Sequence, residues 1–236
     1  MHAEFLPLRP ADAAESNLID AILRGEYPPG SNLPAERELA KLLGVTRPTL
    51  REALQRLSRD GWVEIRQGKP TIVKDFLLEG NLLILNALAR HPNEVPPDFI
   101  LQLLEVRALL APRYFRRAFE AQPKQARFAL DGLQDLADKP EAYAMADQAL
   151  HLRLAALSGN PVFPLILNGF KDFLARFGRP YFELAANRAH SKAFYTGLLK
   201  LAEAEDTAAL EALTQKVMLE SIRNWQAARP KGGGNA

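Results

Sequence analysis

A pair of short helical patterns, joined by residues 43–46 and followed by two β-rich runs, constrains the fold of this chain more than any other feature. In the joining segment Leu-Gly-Val-Thr, Gly44 can end the first helix in a left-handed conformation, and Thr46 can cap the second. The β-rich runs, residues 62–65 and 71–73, are separated by a glycine-containing connection of hairpin length. The N-terminal region, residues 1–75, is therefore predicted to be a winged helix-turn-helix with three helices and a small β-hairpin wing.

The remainder of the chain shows helical patterns without a further β-rich hairpin. Proline, glycine and asparagine divide it into successive apolar helices, so residues 76–228 are predicted to form an all-α helical bundle. The fold class is mainly α, and residues 229–236 are expected to be a flexible tail. Pro112 lies inside the second pattern and predicts a kink or break there. The predicted helices of this region cover roughly residues 79–90, 97–120, 122–137, 139–158, 161–177, 183–203 and 206–228.

Composition excludes several classes of protein. The chain has no cysteine, so disulfides, thiolate metal sites and cysteine nucleophiles are impossible. It has no apolar run of about 18 residues that could span a membrane. Its first residues contain acids and prolines where a signal peptide needs a continuous apolar run. We expect a cytoplasmic protein with no membrane partner.

The charge of the chain is nearly balanced overall but is concentrated in one window. The window from Arg37 to Lys74 contains nine basic and four acidic residues, a local excess of five positive charges on a chain of net charge +2. Such a surface suits an anionic partner, although a solvated basic face explains the charge equally well.

The residue types in this window are those that contact DNA. Arg47 and Arg51 lie at the tip of the second helix of the pair and one turn further on, where arginine can bond to guanine with two hydrogen bonds. Thr46 and Thr49 are short donors suited to phosphates, and Arg37 in the preceding helix can reach the DNA backbone. A narrow turn such as the predicted wing tip fits a minor groove. The wing tip consists of Gln67, Gly68 and Lys69.

Residues 28–73 resemble the GntR family of bacterial regulators. The motifs that carry the resemblance are PPG-x-x-LPAERELA, VTRPTLREAL and L-x-x-DGW-V, which are specific in combination. The resemblance implies a winged helix-turn-helix that binds double-stranded DNA at a short palindromic operator as a homodimer. It also implies DNA contacts from Arg37, Arg47, Thr49 and Arg51, with Gly68 at the wing tip.

The C-terminal half is similar to the FadR subfamily of that family. The matching segments are ILNALAR, LL-x-VR, SGNP-x-x-x-LILNG, R-x-GR-x-YF and ES-x-x-x-W. The resemblance implies a long-chain acyl-CoA effector that releases the regulator from DNA, repression of fatty-acid degradation, and activation of unsaturated fatty-acid synthesis. It also implies ligand roles for Glu220, Ser221 and Trp225. Met218 departs from the pattern, because the family has a glycine there.

The residues themselves also favour a ligand site in the last helix. The apolar stripe of Leu210, Leu213 and Val217 continues at helical spacing to Ser221. A hydroxyl on a buried stripe needs a hydrogen-bond partner, which is a ligand, a neighbouring helix or a water. Further polar candidates for the pocket are Arg107, Tyr181 and Tyr195. Residues that fit an apolar tunnel, or simply a core, are Phe163, Leu167, Phe170, Phe173 and Phe177.

Two alternatives remain open. Asp147 and His151 lie one helical turn apart and match half of the Asp/His metal site of related helical domains, which mostly sense small organic acids. Neither of the two later histidines stands at its expected position, so we predict no metal and no cofactor. The other alternative is an acyl-CoA hydrolase with His151 as base. The sequence has no phosphate-binding loop, G-x-S-x-G or two-histidine motif, and we predict that the chain is not an enzyme.

Overall fold

The computed structural model divides the chain into two compact units, residues 1–95 and 96–236. It describes residues 9–91, 93–95 and 98–228. The predicted flexible tail at 229–236 lies outside the described residues. The predicted domain boundary between residues 75 and 76 stays a prediction, because the first unit extends past it.

The first unit contains the predicted helix-turn-helix. Local signals set its boundaries: Gly44 and Gly61 follow two of the helices with φ of 65° and 98°, a region that suits glycine. Thr46 precedes the third helix, and its hydroxyl accepts a hydrogen bond from the backbone N–H of Thr49 at 3.4 Å. The helices are α1 (Pro10–Leu23), α2 (Glu36–Leu42) and α3 (Arg47–Asp60).

A two-stranded antiparallel hairpin follows α3. Its strands are β1 (Val63–Glu64) and β2 (Ile72–Val73), with Val63 opposite Val73 and Glu64 opposite Ile72. An isolated bridge from Asn32 to Ile72 ties the segment before α2 to the wing. Together with the three helices, this hairpin confirms the predicted winged helix-turn-helix.

The core of the first unit forms where α1 and α2 pack against α3. Fully buried side chains come from all three helices and from the start of the wing, where Trp62 stacks on Phe76 with ring centroids 4.7 Å apart. Beyond the wing, α4 (Phe76–Glu79) and α5 (Leu83–Arg90) also belong to this unit. Nδ1 of His91, which directly follows α5, lies 2.6 Å from Oδ1 of Asp20 in α1.

The end of α3 lies against the segment that leaves the wing. A Cβ on Gly61 would meet the Cα of Gly80 at 2.7 Å, so the two backbones are in contact. The side-chain amide of Asn81 donates a hydrogen bond to the carbonyl of Arg59 at 3.1 Å. Glycine is required at position 61 both for its positive φ and for this close approach.

The second unit is all-helical in its described part, as predicted. Its longest helix, α6, runs unbroken through Pro112 to Ala121, so the chain does not break there, while a kink at Pro112 stays a prediction. The helices are α6 (Phe99–Ala121), α7 (Pro123–Phe128), α8 (Pro140–Leu157), α9 (Val162–Gly169), α10 (Lys171–Phe182), α11 (Ala185–Glu203) and α12 (Thr207–Ala228), with a 3₁₀ turn at Leu133–Asp135.

Besides the pattern at 79–90, of which only Leu83–Arg90 forms α5, two predicted helices differ from the observed ones. The pattern at 122–137 yields only α7, since the chain turns at Gly132 with φ of 75° before the 3₁₀ turn. The pattern at 161–177 yields two helices, because Phe170 leaves helical geometry with φ of −98° and ψ of −2°. In both places an apolar pattern continues across a local backbone break that the periodicity does not reveal.

In the second unit α12 packs along α6, and α8 packs against both α6 and α10. Aromatic side chains such as Tyr114, Phe115 and Tyr195 are fully buried between these helices. In the described part of the chain, no helix combines the length and hydrophobicity that crossing a bilayer requires. This arrangement leaves a cavity between α6, α8, α10, α11 and α12.

Candidate nucleic-acid interface and ligand cavity

The first site is the exposed N-terminal end of α3. Arg47 and Arg51 are 58% and 60% exposed, so their guanidinium groups are available to a partner. The hydroxyls of Thr46 and Thr49 lie 2.8 Å apart at the same end, and Arg37 is exposed on α2. We call these five residues the reading surface. Four of them lie at the N-terminal end of α3, the part of a recognition helix that faces base edges, and Arg37 lies on α2.

Sequence reasoning missed one member of this region. Oε2 of Glu36 accepts a hydrogen bond from Nε of Arg51 at 2.8 Å and lies 3.7 Å from a terminal guanidinium nitrogen of Arg47. The acid therefore holds both arginines in position while neutralising part of their charge. Glu36 lies just outside the basic window, and only the packing of α2 against α3 brings it to these side chains.

The wing tip is exposed at all three predicted residues, Gln67, Gly68 and Lys69. Gly68 has φ of 70°, and a Cβ there would meet nothing within 4 Å. The glycine thus serves the turn of the backbone rather than a close contact within the chain. The exposed Lys69 carries a positive charge that suits a phosphate backbone.

The second site is the cavity in the second unit. Its empty space measures about 910 Å³, a figure that includes the solvent at its mouth. The walls are mostly apolar, with polar groups at a few points. Apolar and aromatic walls come from residues such as Ile100, Leu103, Phe173, Phe194 and Val217.

Four of the six predicted ligand residues line this cavity: Arg107, Tyr181, Ser221 and Trp225. Burial raises the pKa of the Tyr181 hydroxyl, which therefore stays protonated, although Ser221 and Asn224 act to lower it. The Ser221 hydroxyl donates to the Val217 carbonyl at 2.9 Å. An accepting lone pair of Ser221 remains for a ligand.

The other two predicted ligand residues lie outside the lining. The Glu220 carboxylate faces Nε2 of His190 at 3.6 Å and also lies near Lys216 and Arg223. Tyr195 is fully buried beside Tyr143, with ring centroids 6.5 Å apart. The resemblance implied a ligand role for Glu220, and Tyr195 was a further polar candidate, but one sequence does not distinguish a wall of the cavity from the layer behind it.

Of the residues considered for an apolar tunnel, some line a cavity and others lie in the packed core. Phe173 lines the cavity, and Leu167 lines a smaller pocket next to it. Phe163 contacts the Tyr114 ring and Phe170 is buried, while the side chain of Phe177 lies outside the described residues. Met218, where the family pattern has a glycine, lines the cavity and takes up part of its space.

A buried ion pair lies in the cavity wall. A terminal guanidinium nitrogen of Arg107 donates a hydrogen bond to Oδ2 of Asp147 at 2.5 Å. The two side chains are 14% and 16% exposed. Burial opposes ionisation of Asp147, but the charge of Arg107 and its hydrogen bond outweigh it, and the pKa of the carboxyl is lowered. Asp147 is therefore a carboxylate at neutral pH.

A second buried pair adjoins the first. The Tyr114 hydroxyl lies 2.5 Å from Nδ1 of His151, and Nε2 of the same ring lies 3.6 Å from Oδ1 of Asp147. Burial and the Arg107 charge lower the pKa of His151 to about 3, against the opposing effect of Asp147. The imidazole is therefore neutral at physiological pH. We call Arg107, Asp147, His151 and Tyr114 the inner polar cluster.

This geometry bears on the metal alternative. Asp147 and His151 do meet on α8, as the spacing predicted, but Arg107 already places a positive charge on the Asp147 carboxylate. A metal ion would have to displace that guanidinium, and Nδ1 of His151 is engaged with Tyr114. Within the described residues no three His, Cys, Asp or Glu side chains come together to hold a metal.

An exposed winged helix-turn-helix followed by a helical unit with an internal cavity is the architecture of a DNA-binding transcription regulator. Two family models agree: "Bacterial regulatory proteins, gntR family" matches residues 10–73, and "FadR C-terminal domain" matches residues 74–231. The chain belongs to the GntR family of bacterial regulatory proteins and carries a FadR-type C-terminal domain. It is a member of a family of transcription regulators rather than of enzymes.

Similar proteins from other bacteria span nearly the same length. A "Fatty acid metabolism regulator protein" of Shewanella denitrificans is 45% identical over 220 residues, which are 93% of this chain and 92% of that protein. A protein of the same name from Klebsiella pneumoniae is 45% identical over 195 residues, 83% of this chain and 82% of its own.

A solved structure supports the fold. The structure of Lar, described as controlling the expression of the Listeria monocytogenes agr system, superposes with a TM-score of 0.64. The match covers 95% of this chain and 99% of Lar at 18% sequence identity. At that identity the likeness concerns the fold alone.

Proposed function

We propose that this chain is a cytoplasmic, homodimeric transcription regulator of fatty-acid metabolism that leaves its palindromic DNA operator when long-chain acyl-CoA binds. In this proposal it represses fatty-acid degradation genes and can activate genes of unsaturated fatty-acid synthesis. The observation that carries the proposal is the cavity of the FadR-type domain, lined by Arg107, Tyr181, Ser221 and Trp225. The metabolic role is supported by a relative named as a fatty acid metabolism regulator protein, which is 45% identical to this chain over 220 residues.

The DNA-binding domain in this proposal is residues 1–75, and its contacts come from the reading surface and the wing. The exposed guanidiniums of Arg47 and Arg51 would meet base edges, and the threonine hydroxyls would meet phosphates. The exposed wing tip, residues 67–69, would follow the minor groove. Two copies are required, because a palindrome repeats its half-site at a fixed spacing.

The effector domain in this proposal is residues 76–228. The acyl chain would lie along the apolar walls, and the polar groups of α12 would receive the head group. Ligand binding would favour a conformation of the dimer in which the two reading surfaces no longer match both half-sites. The ligand thereby shifts an equilibrium and takes no part in a reaction.

The DNA contacts can be tested with a matched pair of variants. An operator is first selected from a random duplex library with the full chain, and its binding is followed by fluorescence anisotropy. Arg47→Ala should weaken specific binding by about 1–3 kcal/mol, since it removes a bidentate base contact. Arg127→Ala removes the same charge from an exposed site on α7 and should leave the affinity unchanged. Equal affinities for all three proteins would contradict the assigned role of Arg47.

The ligand site can be tested with two variants of the full chain that differ only at positions on α12. Ser221 and Thr214 each donate a hydrogen bond to the carbonyl four residues earlier, at 2.9 and 2.8 Å, but only Ser221 lines the cavity. Ser221→Ala should raise the palmitoyl-CoA concentration needed to release the operator, whereas Thr214→Val should not. If palmitoyl-CoA does not release the wild-type protein from the operator at any concentration, the proposed effector is refuted. A monomer in analytical ultracentrifugation would refute the dimer.

A further inference from the structure

The His151 imidazole gives the cavity a polar contact point that an unsubstituted hydrocarbon chain cannot use. Its side chain is 2% exposed and lines the cavity. Among the described residues, no group offers Nε2 a hydrogen bond. Leaving a buried nitrogen without a hydrogen-bond partner costs free energy, so a bound group that satisfies it gains binding free energy.

The neighbours of the ring decide which of its nitrogens carries the proton. Oδ1 of the ionised Asp147 lies 3.6 Å from Nε2, and a nearby negative charge favours an N–H on that side. The Tyr114 hydroxyl then donates to Nδ1 at 2.5 Å. The ring consequently presents Nε2–H as a donor beside a carboxylate that accepts.

The distance between Nε2 of His151 and Oδ1 of Asp147 determines which functional group of a ligand can bond to both. A separation of 3.6 Å is too long for a direct hydrogen bond between Nε2 and Oδ1. A hydroxyl can accept from Nε2–H and donate to the carboxylate at the same time. A keto oxygen only accepts, an ammonium only donates, and a methylene does neither.

A second pocket lies on the other side of the wall that contains the imidazole. A smaller pocket, with about 300 Å³ of empty space, shares Arg107, Gln148, His151 and Leu174 with the main cavity. His151 therefore lies in a wall common to both spaces rather than at a closed end. A chain that runs from one space into the other would pass this ring along its length.

We propose that the cavity selects a long-chain acyl thioester whose chain carries a hydroxyl, held between Nε2 of His151 and the carboxylate of Asp147. This inference rests on the proposed acyl-CoA response and specifies its ligand class. Arg107 anchors the carboxylate from the other side at 2.5 Å, and the Tyr114 hydroxyl fixes the ring. All members of the inner polar cluster thus position one hydroxyl.

The test compares palmitoyl-CoA with hydroxypalmitoyl-CoAs that carry the hydroxyl near the thioester, in the middle of the chain, or at its far end. Binding to the full chain is measured by titration calorimetry. At least one hydroxylated ligand should bind the wild-type protein roughly tenfold more tightly than palmitoyl-CoA, the value of one well-placed hydrogen bond to a charged site. The Tyr114→Phe/His151→Phe variant removes the donor without leaving an unpaired tyrosine hydroxyl, and it should lose this preference. Thr214→Val, a conservative change on α12 outside the cavity lining, should keep it.

The outcomes separate the two proposals. If palmitoyl-CoA binds and no hydroxylated form binds more tightly, the hydroxyl subsite is overturned while the proposed function stands. If no acyl-CoA binds, both are overturned. Should the double variant fail to fold, nitrogen-15 spectra of histidine-labelled wild-type protein replace it, with His151 assigned through its contact with the Tyr114 ring. A hydroxylated ligand should then shift the Nε2 signal more than palmitoyl-CoA does, and equal spectra would overturn the subsite.

Discussion

The Arg107–Asp147 pair offers the sharpest test of how the second unit is stabilised. The two side chains are 14% and 16% exposed and 2.5 Å apart, so removing the guanidinium leaves a buried carboxylate without its counter-charge. Breaking such a pair from one side costs about 3–5 kcal/mol. For a unit of this size, Arg107→Met should lower the melting temperature by roughly 10 °C.

Removing both partners should behave differently. Replacing a buried ion pair by apolar side chains of similar volume is often neutral or stabilising. The Arg107→Met/Asp147→Leu variant should therefore recover most of the stability that the single variant loses. Melting is followed by circular dichroism, with Thr214→Val on the neighbouring helix as a control for a conservative core change.

The pH dependence provides a second readout of the same pair. With Arg107 present, the pKa of Asp147 is lowered, so its contribution to stability is retained above about pH 4 and is lost only as the pH falls through the folded pKa. Without Arg107, burial raises the pKa of the Asp147 carboxyl against the smaller opposing effect of His151. The stability that Arg107→Met loses relative to the wild type should then become smaller as the pH is lowered from about 7 to about 5, because Asp147 becomes neutral. A deficit that is independent of pH, or a double variant as unstable as the single one, would refute this account.

Two further predictions follow from glycine geometry and from His151. Gly61→Ala should destabilise the first unit severely, since its Cβ would meet the Gly80 backbone at 2.7 Å, whereas Gly68→Ala, with nothing within 4 Å, should cost only about 1–2 kcal/mol of left-handed strain. Urea unfolding of both variants measures the difference, and similar losses would contradict the contact. The pKa of His151 is lowered to about 3 by burial, so the unfolded chain gains a proton below about pH 6.5 that the folded chain does not. His151→Phe should therefore lose less stability than the wild type between about pH 7 and pH 5, by roughly 2 kcal/mol, and parallel stability curves would show that the folded imidazole is protonated.

The sequence was most informative where the structure is set by neighbouring residues. Gly44 and Thr46 define the helix-turn-helix because a left-handed residue and a cap act on the backbone within a few positions. The same local logic failed at Phe170, where helix-compatible apolar residues continue across a backbone break. Periodicity reports which side chains are apolar, and it is insensitive to a single residue that leaves helical geometry.

The sites show the same limit. Ser221 and Trp225 were identified by motif, and both line the cavity. The contacts of Glu36 with the reading surface and of Tyr114 with His151 were not predicted, because they join different helices. Tyr114 and His151 are 37 positions apart, so nothing in the local pattern connects them. Polar partners across a helical bundle are set by the register of packing, which one sequence does not specify.

The close backbone contact at the end of α3 has a mechanical consequence. The segment that leads from the wing towards the second unit touches Gly61 and hydrogen-bonds to the last turn of α3. There is no room for a side chain between this segment and Gly61, so the two backbones cannot move closer together. If that segment moved towards Gly61, α3 would have to move with it, because no flexible linker separates the two.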